Sequence, residues 1–224
     1  MEHSKRLRVV LAHEYFRCDQ AFLDFADLAT VNIAGNSQKR MLLAMFDSYA
    51  RFLHHLYEFY LGNIKRSRRS LERISYEECD QLIQAEVEKL MRHRRDRIKS
   101  GRAPSHENHI SYYEKPVPAN FARDLRQTRN RVAHADSKRA GSPVAISLPD
   151  FYEKYHQYVM LLYEEPQWLW KIADPDTYNW GEIERFDLAV QSGPERRWAP
   201  RSLLGRLRSW VVVRQLRSAI RSRR

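Results

Sequence analysis

The chain has 224 residues, 43% hydrophobic and 12% aromatic, which suits one domain with a real core and excludes a disordered chain. Seven glycines are few for this length and favour helices with short connections over a strand-rich fold. The net charge of +11 favours a polyanionic partner, nucleic acid first and an acidic protein second.

Lys5 to about Ile33 reads as a helix, with Leu11, Tyr15, Phe22, Phe25 and Leu28 at helical spacing. Gly35-Asn36-Ser37 marks a turn. A second helix runs from about Gln38 to Leu61, with Leu42, Met45, Tyr49, Phe52, Leu53, Leu56 and Tyr60 on one face and Gly62-Asn63 as its expected end. Ser75 with Glu78 makes a capping-box pattern for a third helix, acidic early and basic late as the helix dipole prefers. Ser100 to Val117 reads as a long connection. Pro118 suits the first turn of a fourth helix to about Ala135, and a fifth spans roughly Pro149 to Glu165, with Phe151, Tyr155, Tyr158, Val159 and Leu162 inward. An aromatic, Pro-punctuated region follows. Its tryptophans, Trp168, Trp170, Trp180 and Trp198, are expected to lie against the domain. The expected fold is all-α: a bundle of four to five helices over residues 1–165, an extension over 166–200 packed on it, and a basic amphipathic tail helix over 201–224.

Several classes are excluded. Cys18 and Cys79 lie far apart, so neither a disulfide framework nor a thiolate zinc site is indicated, and both should pack as small apolar side chains. The stretch from Met41 to Leu61 is broken by Asp47, Arg51, His54, His55 and Glu58, which rules against a membrane span. No secretory signal pattern heads the chain, and a soluble cytoplasmic protein is the expectation. His106 and His109 sit in a polar loop without cysteine partners, and His54-His55 should point to different sides and make local hydrogen bonds, so no metal or cofactor is expected.

The charge is uneven. From Pro200 to Arg224 there are eight arginines and no acid, which leaves only +3 for the rest. Pro143 to Glu195 holds ten acids against three cations. The tail's Leu203, Leu207, Trp210, Val213, Leu216 and Ile220 form one stripe, open to three readings: a grip on RNA phosphates, an anionic membrane surface, or docking on the bundle or a second subunit.

The chemistry concentrates in the fourth helix. At 100° per residue from Phe121, Ala122, Leu125, Val132 and Ala133 fall between about 20° and 120°, and Arg129 falls inside that stripe near 80°. A charge there is conspicuous, because arginine is almost never fully buried unless paired. Asn130 and His134 share another face with Arg123 and Gln127. Arg129 could equally reach a buried carboxylate, and His134 could simply complement a helix C-terminus.

The segment from Phe121 to Ala135 resembles the signature helix of the HEPN superfamily (higher eukaryote and prokaryote nucleotide-binding domains): an arginine, commonly followed by asparagine, then four to six residues to a histidine. Arg129, Asn130 and His134 match it in its shortest spacing. The resemblance covers about residues 5–165. It implies a metal-independent endoribonuclease acting as a homodimer across the Arg129/His134 helix, of the kind that serves as a toxin or phage-defence effector. An acidic antitoxin or regulatory protein is a further partner class. On this reading His134 moves a proton to or from RNA, Arg129 neutralises the phosphorane, and Asn130 orients the histidine or donates to phosphate. Attack by the 2′-hydroxyl would leave a 2′,3′-cyclic phosphate and a 5′-hydroxyl. Arg123, Arg126, Lys65, Arg66, Arg68, Arg69, Arg94 and Arg95 are the candidate RNA contacts, with a solvated charged surface as their bland alternative. The competing class is a non-catalytic HEPN-fold RNA-binding or complex-forming subunit. A DNA-binding regulator lacks helix-turn-helix spacing.

Overall fold

A computed structural model describes residues 2–35, 38–69, 72–133, 146–167, 178 and 180–192, and every described element is helical. It divides into two units, Met1–Thr177 and Tyr178–Arg224. In the first, α1 (Glu2–Ile33), α2 (Lys39–Arg68), α3 (Tyr76–Lys99), the short α4 (Ser111–Glu114), α5 (Phe121–Ala133) and α6 (Leu148–Glu164) form an all-α bundle. The second contributes α7 (Gly181–Ser192), which exposes Ile183, Phe186 and Leu188. Trp180 in this unit packs beside Tyr178, at 5.4 Å between centroids. Trp168, Trp170, Trp198 and the basic tail lie outside the described residues. Among the described residues no helix is long and apolar enough to cross a membrane.

The packing centres on α2, which touches α1, α3, α5 and α6. Its Phe52, Leu53 and Leu56 meet Ile83 and Val87 of α3, Phe121 and Leu125 of α5, and Phe151, Tyr155, Val159 and Leu162 of α6 in one buried core. The inward face expected for the last of these helices is therefore the observed one. Cys18 and Cys79 are buried thiols. Buried tyrosine rings carry hydroxyls that need partners, and several find one on another helix. Tyr155 donates to Asp124 (2.6 Å), Tyr60 to the Leu162 carbonyl (2.8 Å) and Tyr163 to Asp19 (2.5 Å).

Two helix limits differ from the sequence reading. α2 does not stop at Gly62-Asn63 but runs six residues further, to Arg68, and ends on Arg69 in the left-handed region (φ 51°). Gly62 serves a close helix crossing instead: a Cβ there would sit 2.6 Å from Leu11 Cδ2 of α1. α5 begins at Phe121, after a turn closed by the Phe121 amide on the Pro118 carbonyl. Two other starts, those of α3 and α6, follow a serine cap. Ser75 Oγ accepts from the Glu78 amide, and Ser147 Oγ accepts from that of Asp150. Near the turn between α1 and α2, Leu42, expected inward, is 39% exposed.

The core also holds a proton-sensitive group. The His156 ring is stacked on Tyr152 and bonded to the Tyr49 hydroxyl (3.1 Å), and burial pushes its pKa down to about 4. The unfolded chain, with imidazole near 6.5, binds more protons between those two values, so stability falls as pH drops through that window. A loss of about 2 kcal/mol is expected for this one group after allowing for its partial exposure. Urea midpoints measured from pH 7 to pH 4 should decline in the parent and decline less steeply in His156→Gln; identical slopes would contradict this assignment.

Candidate active site

The buried stripe of α5 consists of Phe121, Ala122, Leu125 and Thr128, with Arg129 and Val132 half-buried at its far end. Arg129 therefore sits where its angle on the helix placed it, and α2 supplies what its charge requires. Its guanidinium pairs with Glu58 and lies over the Tyr57 ring, 5.2 Å from the centroid. One terminal nitrogen donates to Asn130 Oδ1 at 2.6 Å. Nε is buried without a hydrogen-bond partner among the described residues. The pair is partly open to solvent, with side chains 21% and 29% exposed. A forked cation held by one edge and one face keeps some of its donors for a ligand.

Histidines back this corner. His54 precedes Glu58 by one helical turn on α2. Its pKa is pushed down to about 4, chiefly by burial and next by the charge of Arg129, so the ring is neutral at pH 7. Its Nδ1 is buried without a hydrogen-bond partner among the described residues. His55, beside it, takes the other direction and bonds Glu14 of α1 at 2.8 Å, a contact between helices rather than a local one. Burial opposes ionisation of Glu14, but the His55 hydrogen bond and the neighbouring cations outweigh it and hold the carboxyl below its usual range. Among the described residues no three His, Cys, Asp or Glu side chains converge in a way that could hold a metal ion.

His134 lies outside the described residues, so the site is seen from the side of Arg129 and Asn130 alone. The Asn130 amide turns back on Arg129, where its oxygen fixes the guanidinium. Arg126, one turn earlier, is gripped by both carboxylate oxygens of Asp80 on α3 (2.8 to 3.1 Å) and covers the Tyr76 ring. Arg123 is exposed, 3.6 Å from Asp124.

The remaining candidate RNA contacts lie on other helices. Lys65 is half-buried near the end of α2, and Arg66 and Arg69 are exposed there. Arg68 pairs with Glu78 at 2.6 Å. On α3, Arg94 is held by Glu107 (2.8 Å) and Glu164 (3.3 Å), and Arg95 donates to the Tyr113 carbonyl at 2.5 Å. Arg126, Arg68, Arg94 and Arg95 thus already have protein partners, Arg123 is exposed beside Asp124, and Arg66 and Arg69 are exposed.

Sequence reasoning missed Glu58, Tyr57 and His54. The legible signal is the i, i+4 pair of polar residues, His54 and Glu58, in the otherwise apolar run of α2. Family models, curated proteins and solved structures were compared with the chain. It matches none of them.

Proposed function

We propose that the chain is a metal-independent endoribonuclease of the HEPN type, acting as a homodimer, and serving in the cytoplasm as a toxin or phage-defence effector. The observation that carries this reading is Arg129: a guanidinium set into an otherwise apolar helix stripe, steadied by Glu58, Tyr57 and Asn130, and still partly open. A guanidinium sealed in the core could not reach a ligand. This one combines a fixed orientation with access, which electrostatic stabilisation of a phosphorane requires.

The 2′-hydroxyl of RNA attacks the adjacent phosphorus, the P–O5′ bond breaks, and the leaving oxygen takes a proton. His134 accepts the first proton or supplies the second, and Arg129 faces the non-bridging oxygens. Arg129 and His134 point about 140° apart on an ideal helix. A two-fold axis near α5 brings one subunit's arginine to the other's histidine, which supports the dimer.

The reading is tested by incubating the purified protein with total RNA in chelator. Ends bearing 2′,3′-cyclic phosphate and 5′-hydroxyl are expected, at a rate that falls faster than linearly on dilution. Ends with 3′-hydroxyl, or activity lost in chelator, would contradict it. The Arg129–Glu58 pair also suits a second reading, a non-catalytic RNA-binding or complex-forming subunit, which RNA retained intact would favour.

A further inference from the structure

Away from Arg129, a cleft of about 500 Å³ opens between the C-terminal half of α3 and the segment after α4. Arg92, Arg95 and Lys99 recur at three- and four-residue spacing along one wall, and Lys115 stands on the other. Two carboxylates, Glu88 and Glu114, share the lining, so the cations lead by two. The apolar part is Met91, Pro116 and Val117, with Met91 only 2% exposed. A basic wall beside an apolar patch matches a phosphate next to the face of an unpaired base. The volume lies in the range of sites that take a unit of nucleotide size.

The cleft is held in shape from several directions. Arg95 donates to the Tyr113 carbonyl, Tyr158 to that of Pro116 (3.4 Å), and Gln84 to that of Pro118 (3.3 Å). Tyr113 in turn bonds Glu107, which pairs with Arg94. Walls fixed before binding spare a ligand the cost of ordering them. Arg95, a candidate RNA contact from the sequence, is thus a wall residue braced by backbone.

We propose that this cleft binds the backbone of a single RNA strand, one phosphate against Arg92, Arg95, Lys99 and Lys115 and one unpaired base against Pro116 and Val117. That the strand is RNA rests on the ribonuclease reading. The cleft is separate from the cutting site: Arg95 lies fifteen residues along α3 from Asp80, which grips Arg126, a span of about 22 Å at 1.5 Å per residue. A strand of several nucleotides reaches from one to the other. A duplex keeps its bases stacked inside and can offer the cleft only phosphates, so a single strand is preferred.

The test uses the full chain carrying His134→Ala, so that RNA stays intact, and a labelled single-stranded RNA titrated at several salt concentrations. Adding Arg92→Glu with Lys115→Glu, both exposed positions, should weaken binding at least ~10-fold and lower the slope of log K against log salt by ~0.7, the figure for one lost phosphate contact. Reversing Lys39 and Arg40, exposed at the far tip of α2, changes the net charge equally and should leave affinity within about twofold. Equal losses from the two pairs, unchanged binding in the cleft variant, a duplex bound as tightly as the single strand, or displacement of RNA by an acidic peptide would each overturn the proposal. The two readings fail separately. RNA cut normally by a cleft variant that binds like the parent sinks only the cleft, and RNA held through the cleft yet never cut by the parent sinks only the ribonuclease.

Discussion

Arg129→Ala is expected to slow RNA cleavage by roughly 10³-fold, the loss typical of removing one donor aimed at developing charge. Arg129→Lys should recover less than about a tenth of the parent rate, because an ammonium keeps the charge but not the fork or the face lying over Tyr57. Neither change should unfold the protein. The Arg129–Glu58 pair is partly exposed, so stranding Glu58 costs about 1 kcal/mol, readable in a urea titration. Full cleavage by Arg129→Ala would remove the arginine from the chemistry and leave it as a brace between α5 and α2.

A second large effect separates structural from ligand-binding arginines on the same helix. Arg126 meets Asp80 with two parallel hydrogen bonds, and both side chains are only about one-sixth exposed, at 16% and 15%. Removing Asp80 strands a mostly desolvated cation, and Asp80→Ala should cost about 2–4 kcal/mol. Arg126→Ala should cost a similar amount, and the double variant clearly less than the sum of the two, since once one partner is gone the other has little left to lose. Additive losses, or a stability unchanged by Asp80→Ala, would show that this pair does not pin α5 to α3. Because Arg126 is already bound, its replacement should weaken RNA affinity through α5 rather than through a lost phosphate contact.

Which parts of this molecule could be read from the chain follows from the range of the forces involved. Apolar spacing is local, so Phe151, Tyr155, Val159 and Leu162 identify the buried face of α6, and Ser75 marks the start of α3 through a hydrogen bond three residues long. Gly62 misled because a glycine serves equally as a helix end or as a close crossing, and only the position of Leu11, 51 residues away in the chain, decides which. The same limit governs the site. Arg129 stood out on its own helix as a charge in an apolar stripe, but its partner lies on α2, and no periodicity within α5 points to Glu58. Arg126 and Arg94 looked like phosphate contacts because composition counts charges and cannot see the carboxylates of Asp80, Glu107 and Glu164 that meet them. Conversely, the cleft on α3 joins Arg92, Arg95 and Lys99 with Lys115, a grouping made only by the return of the chain after α4.

If Arg129 and His134 together cut RNA, cleavage of total RNA in chelator should differ sharply between the parent and His134→Ala purified identically. Loss of cleavage by ~10² to 10⁴-fold with an unchanged helical signal is the outcome required of a proton-transferring imidazole. Undiminished cutting by His134→Ala would contradict it.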